Sequence, residues 1–305
     1  MDRAEAMAVF VQVAEHRSFA AAARRLKRSP AAVTRVIGEL EARLGVRLLN
    51  RTTRAVSLTE AGERFMAGAR RVLTDLEEIE RAAAGEGTAP RGELRATAPI
   101  LFGRLHVLPI VTEFLDRFPD VSVTLNLLDR SVDLVEEGLD IAVRIGPLAE
   151  SSAVATRVGA VRRIVVASPH YLAQHGTPQA PADLGQHAVV AFSGVAGVER
   201  WIFQDASGET SVAIRARLVV TTAEAALDAV RAGFGITRVL SYQAADDISR
   251  GSLVRLLSPH EAHELPIHLL YPGGRHPAPK LRAFVDFARP RLRRRCEAIM
   301  RVIYA

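Results

Sequence analysis

Along the first 45 residues, apolar side chains return every three or four positions, the period of a helix with one buried face. Met7, Phe10, Val11 and Ala14 form the first such stripe. Ser18 is placed to cap a second helix, whose stripe of Phe19, Ala22, Ala23 and Leu26 is broken by Lys27, Arg28 and Ser29. Ser29 then caps a third helix that has Pro30 at its first position, Val33, Val36, Ile37, Leu40 and Leu44 on its apolar face, and Gly45 as its stop. Two short helices separated by so tight a break predict a helix-turn-helix, a motif that lays its second helix in the major groove of DNA. On the opposite face of that third helix Ala31, Thr34, Arg35 and Gly38 share a stripe of small residues with one hydroxyl and one guanidinium. Periodicity alone describes equally well a three-helix bundle with a solvated basic face. The next stretch, "VRLLNRTTRAVSLTEAG", predicts strands at 46–49 and 55–58 around a turn bearing Asn50, Arg51, Thr52, Thr53 and Arg54, a wing whose arginines can meet phosphates.

Thr59 can cap a long helix with Glu60 and Glu63 in its first turn. Phe65, Ala69, Val72, Leu76, Ile79 and Ala83 recur at alternating four and three, which predicts a coiled-coil seam for self-association; the competing reading is a helix packed on its own domain. "AAAGEGTAPRGE" breaks this pattern and reads as a linker. From Leu94 the period alternates between strand and helix. "LRATAP", "VSVTLNLLD", "DIAVRIG", "RRIVVAS", "AVVAF", "ARLVV", "GITRVL" and "PIHLLY" read as strands, and 105–118, 133–137, a segment capped near Thr222, and 280–293 as helices. The organisation expected is therefore a DNA-binding unit at 1–58, a linker helix and hinge at 59–90, and an α/β unit at 91–305.

Composition adds limits. The chain has 40 Lys and Arg against 34 Asp and Glu, a net charge of +6, and basic residues crowd the opening helices, where an anionic partner is expected. One cysteine, Cys296, permits neither an intramolecular disulfide nor a cysteine-rich metal site and fits a reducing cytoplasm. No apolar run reaches membrane-spanning length, and "DRAEAMAVFVQVAEH" after Met1 does not read as a signal peptide, so a cytoplasmic protein without a membrane partner is expected. There is no G-x-S-x-G elbow, P-loop, HExxH or paired CxxC, and Ser193 has no evident catalytic partner. His260 and His263 could be read as metal ligands or as an exposed loop, and Gly233 to Gly235 as a helix stop. The arginine run at 289, 291, 293, 294 and 295 reads as a solvated helix end that could also touch DNA or membrane. Neither a catalytic step nor a cofactor or metal is expected.

The segments "SFAAAARRL" and "SPAAVTRVIGELEARLGVRLLNRTTRAVSLTEAG", with Phe10 before them, closely resemble the N-terminal winged helix-turn-helix of LysR-type transcriptional regulators, with Thr34 where the family commonly has serine. "FLDRFPDVSVTL", "DLVEEGLDIAVRIG", "ASPHYLAQHGTP" and "AGFGI" resemble the effector domain of the same family, so the likeness spans nearly the whole chain. The resemblance implies a mixed fold: a winged helix-turn-helix and linker helix, then a two-lobed α/β domain like the type 2 periplasmic binding proteins, with lobe I at about 91–161 and 267–305 and lobe II at about 162–266. It implies DNA contacts from Ser29, Pro30, Ala31, Thr34 and Arg35, and from Arg51, Thr53 and Arg54 in the wing. It implies a crevice for a small-molecule effector lined by Thr97, Pro99, Arg144, Ser193, Thr222 and Arg238, where two arginines and a helix N-terminus favour a carboxylate. Trp201 either walls that crevice or fills the core. Double-stranded promoter DNA, a second copy of the chain, a dimer of dimers, and RNA polymerase are the partners that the family implies. The alternative is a ligand-binding or ligand-modifying α/β protein whose helical bundle only dimerises.

Overall fold

Side-chain caps set the boundaries of the first three helices. The computed structural model describes residues 2–51, 56–83, 89–130, 132–148, 153–192, 200–205, 208–273 and 277–304. Helix α1 (Arg3–His16) opens on Asp2, which accepts from the Ala4 N–H; α2 (Phe19–Arg25) opens on Ser18, which accepts from Ala21; α3 (Pro30–Leu44) opens on Ser29, which accepts from Ala32. Lys27, at φ 53°, makes the tight turn between α2 and α3, and Gly45, at φ 68°, ends α3 in the left-handed region. Val9, Phe10, Val13, Ala22, Ala23, Val33, Val36, Ile37 and Leu40 pack into one core with Leu48 and Leu49. Two positions depart from the sequence pattern. In α1 the buried line runs through Ala6, Val9, Phe10 and Val13, leaving Met7 and Ala14 half-buried at its margin. Leu44 is 41% exposed because α3 outruns the core, with Leu40 its last buried residue.

The wing strands are β1 (Leu49–Arg51) and β2 (Val56–Leu58), antiparallel with Leu49 opposite Leu58. Pairing begins later than the predicted 46–49 because the Glu41 carboxylate on α3 takes the N–H groups of Leu48 and Leu49 at 2.9 and 3.1 Å. Helix α4 (Glu60–Ala83) is capped by Thr59, whose hydroxyl accepts from Gly62 and donates to the Arg47 carbonyl. Its first half folds back on its own domain. Phe65 sets its ring edge against Phe10 at 5.2 Å between centroids, and Ala69 is 2% exposed. These two positions of the predicted seam pack with α1 in the chain's own core. Val72 is exposed and Leu76 half-buried, while of Ile79 and Ala83 only the helical backbone is described.

The second half contains β3 (Gly92–Ala98), α5 (Ile100–Phe102), a π-helical turn (Gly103–Val107), α6 (Leu108–Arg117), β4 (Val121–Leu127), β5 (Ile141–Ile145), β6 (Ala153–Val161) and β7 (Arg163–Ala167). It continues with α7 (Pro169–His175), β8 (Val189–Phe192), β9 (Arg200–Asp205), β10 (Gly208–Ala213), β11 (Ala216–Val220), α8 (Ala223–Arg231), β12 (Ile236–Leu240), α9 (Ser241–Ser249), β13 (Val254–Leu256), β14 (Leu265–Pro272) and α10 (Pro279–Tyr304). The strands make two five-stranded mixed sheets, ordered β4-β3-β5-β14-β6 and β11-β8-β12-β7-β13, and a separate hairpin of β9 and β10. The chain leaves the first sheet between β6 and β7 and returns to it at β14, giving two α/β lobes joined by two crossovers.

Three helix predictions change. Residues 134–138 form turns only, because the Asp133 carboxylate takes the N–H groups of Val135 and Glu136 and Gly138 (φ 61°) reverses the chain within one turn. The helix expected at 105–118 starts at Ile100 and passes through the π turn. The last helix runs beyond 293 to Tyr304, since Leu292, Cys296, Ile299 and Ile303 continue its buried line between the arginines. Trp201 and Phe203 point from the unanticipated hairpin into a buried cluster with Val165, Ile236 and Leu256, which places Trp201 in the core.

Candidate functional site

The outward stripe of α3 is open to solvent throughout. Ser29, Pro30, Ala31, Thr34, Arg35 and Gly38 are all exposed, and nothing stands within 4 Å of a Cβ built on Gly38. The Thr34 hydroxyl donates to the Pro30 carbonyl at 2.9 Å, which holds it along the helix. The Arg35 side chain is 77% exposed, and its ion pair to Glu39 is long, at 3.8 Å, so its guanidinium is cheaply redirected. Arg24, Arg25 and Lys27 are exposed beside it, while the Arg28 charge is paired with Glu5. Both acids of this segment are thus accounted for: Glu41 holds the wing and Glu39 lies along the helix. The backbone of Arg51 ends β1, and Thr53 and Arg54 fall outside the described residues.

The residues expected in the crevice occupy varied settings. Thr97 lies near the end of β3, 1% exposed, and its hydroxyl oxygen has no hydrogen-bond partner among the described residues. Pro99 leads into α5, where the Asp129 carboxylate accepts the Ile100 N–H at 3.0 Å, so an acid of the chain already occupies that helix start. Arg144 is half-buried and donates to the carbonyls of Arg130 and Val132 at 3.1 and 3.3 Å; burial lowers its pKa. Thr222 caps α8 by accepting from Ala225 at 3.2 Å. Arg238 stands in the middle of β12 rather than at its end, donates to the Ile202 carbonyl at 3.0 Å, and stacks 5.0 Å from the Trp201 ring centroid. Burial, with Arg163 nearby as the second cause, draws the Arg238 pKa down to about 9. Ser193 falls outside the described residues. Hairpin β9–β10 therefore takes hold of Arg238, a contact that sequence spacing does not reveal.

Residues 4–63 match the model of the bacterial regulatory helix-turn-helix protein, lysR family, and residues 87–293 match that of the LysR substrate binding domain. The chain belongs to the LysR family. This LysR-type chain is 35% identical over 288 residues to an HTH-type transcriptional regulator of Xanthomonas campestris pv. campestris, covering 93% of this chain and 84% of the relative. The solved structure of CrgA, a LysR-type transcriptional regulator from Neisseria meningitidis, shares 32% identity and a TM-score of 0.61 over 96% of this chain and 99% of its own. AphB, the Vibrio cholerae virulence activator, shares 29% identity and a TM-score of 0.60 over 94% and 98%. The protein is accordingly a transcriptional regulator with an effector-binding domain, and its relatives are regulators rather than enzymes. No helix among the described residues is long and apolar enough to cross a membrane.

Several positioning residues of this LysR-type chain escape a reading of the sequence. Glu41 looks like one more surface acid until its two wing hydrogen bonds are seen. Gly62 sits where an added Cβ would lie 2.0 Å from the Leu48 carbonyl oxygen, so its lack of a side chain lets α4 dock on the wing. Arg163 is half-buried and Thr237 fully buried, and only the pairing of β12 with both β7 and β8 brings them into view. The sole sequence signal for them was a polar residue inside an apolar strand.

Proposed function

We propose that this regulator reads promoter DNA with the exposed stripe of α3 and the wing, and that a small organic acid held by its α/β domain sets promoter occupancy. The observation that carries the DNA reading is the α3 stripe: small residues on a fully exposed helix face permit close approach, and Arg35 stands among them without a tight internal partner. Ser29, Pro30, Ala31, Thr34 and Arg35 are its reading residues, and Arg51, Thr53 and Arg54 its backbone contacts. Thr97, Pro99, Arg144, Ser193, Thr222 and Arg238 are the effector residues in this reading. The Thr97 hydroxyl, without a partner among the described residues, and the desolvated arginines support an anion. Units 1–58, 59–90 and 91–305 act as reader, connector and sensor.

The test is a mobility shift of a promoter fragment from the protein's own gene neighbourhood, against random DNA, across a salt series. Affinity for both falls steeply with salt through counterion release. Arg35→Ala loses about 1–3 kcal/mol on the operator and little on random DNA, the mark of a base contact. Equal losses on both reassign Arg35 to phosphate, and absence of a shift at low salt removes the DNA reading.

A further inference from the structure

The two faces of the second sheet serve different cores. Val166, Val190 and Val239 face the larger core shared with α8 and α9, whereas Val165, Ala167 and Ile236 face the cluster roofed by the β9–β10 hairpin. In the antiparallel pairing of β12 with β7, Arg238 lies opposite Val165 and Leu240 opposite Arg163. Arg163 and Arg238 are therefore diagonal neighbours on the hairpin face, with backbones about 7–8 Å apart. Trp201 and Phe203 wall that face, with their centroids 5.0 and 6.0 Å from the Arg238 guanidinium carbon.

Both guanidinium groups are partly withdrawn from water here, and among the described residues neither has an ion pair to an acid. One N–H of Arg238 goes to the Ile202 carbonyl. Arg163 makes no hydrogen bond through its side chain within the described residues, and its Nε is buried without a partner. Burial lowers the pKa of both; for Arg238 the only other cause is the charge of Arg163, and for Arg163 no acid offsets the burial. Buried cations are ordinarily paired, since desolvation without a counter-charge costs several kcal/mol per ion, and two like charges side by side add repulsion. Each guanidinium carries five N–H donors in a planar fork suited to carboxylate and phosphate oxygens, and only one of the ten is spent on a described partner.

We propose that Arg163 and Arg238, over the aromatic wall of Trp201 and Phe203, form a binding site for a small dianionic oxyanion, a dicarboxylate or a phosphate. The site deepens the proposed effector function and rests on it for the role of this domain: it adds Arg163, moves Arg238 to the hairpin face of the second sheet, and raises the ligand's charge to two. Bound there, the anion cancels both charges and ties the hairpin to the sheet.

The test uses the full chain without DNA. Thermal unfolding is followed in succinate, in inorganic phosphate and in acetate, each against sodium chloride at matched ionic strength, for wild type, Arg163→Gln and Arg163→Lys; calorimetric titration measures affinity directly. Wild type gains a saturable rise in melting temperature with succinate or phosphate and none with acetate, and the arm that responds identifies the oxyanion. Arg163→Gln melts higher than wild type in chloride, because an unpaired charge is gone, yet binds the dianion at least about thirtyfold more weakly. Arg163→Lys restores part of the binding. Equal anion effects in wild type and Arg163→Gln, or a lower melting temperature of Arg163→Gln in chloride, overturn the site, since the second outcome assigns Arg163 a structural partner within the chain. Operator binding is measured separately, so loss of the DNA reading leaves the anion result standing, and the reverse.

Discussion

His106 is neutral in the folded protein near pH 7 because its surroundings tolerate no charge. It lies in the π turn between α5 and α6, its ring 4.9 Å from Phe102 and 5.7 Å from Tyr242 between centroids, with Nε2 buried and without a hydrogen-bond partner among the described residues. Burial lowers its pKa from 6.5 to about 4; Arg295 adds to the shift and Asp246 opposes it. The unfolded chain takes up a proton near pH 6.5 and the folded chain only near pH 4, so the contribution to stability is complete above pH 6.5 and is lost as pH falls toward 4. The shift corresponds to a loss on the order of 3 kcal/mol across that window. Urea denaturation at pH 4.5 and 7.5 is expected to show this slope in wild type and a flatter one in His106→Gln. Equal slopes would place the acid sensitivity in other groups.

At the level of elements, single atoms decide how a helix seats against its neighbours. A Cβ on Gly62 would overlap the Leu48 carbonyl, which is backbone and cannot swing away, so Gly62→Ala must part α4 from the wing. The expected cost is about 1–3 kcal/mol, the range for overpacking, read as a lowered urea midpoint with weaker DNA binding. At the far end of the chain α10 is tied down by a polar knot. Arg255 on β13 pairs with Glu261 at 2.5 Å and donates to the Ile303 carbonyl, while the Tyr304 hydroxyl donates to the same carboxylate. The side chains of Arg255 and Glu261 are only 16% and 4% exposed, so Arg255→Ala strands a buried acid and is expected to cost about 3–5 kcal/mol. Double substitution with Glu261→Gln should recover part of that loss in the same denaturation experiment.

On the scale of the whole molecule, a ligand in one domain reaches DNA in another only by favouring one arrangement of lobes or subunits over the other. The seam left on α4 after Phe65 and Ala69 have gone to the core begins with exposed Val72 and half-buried Leu76. If this face joins two copies, Leu76→Glu places a charge in the contact. Sedimentation is then expected to show smaller particles, and DNA footprints to lose one of two half-sites about one helical turn, or a multiple, apart. Unchanged mass with an intact footprint would move self-association to the α/β domains.

Much of the first 60 residues was legible in sequence because helix caps and 3.6-residue stripes are local: Ser18, Ser29 and Gly45 act within a turn of where they stand. The α/β alternation was legible for the same reason, as was the family likeness. Sequence could not tell which apolar face a neighbour would cover, so Leu44 and Ala69 exchanged the roles that periodicity offered them. Nor could it tell which charges would lose their water. Arg163 and Arg238 are 75 positions apart and become neighbours only through the register of β7 and β12 and the roof of a hairpin from a third segment. Desolvation depends on everything that surrounds a group, and that surrounding exists only once strands distant along the chain have paired.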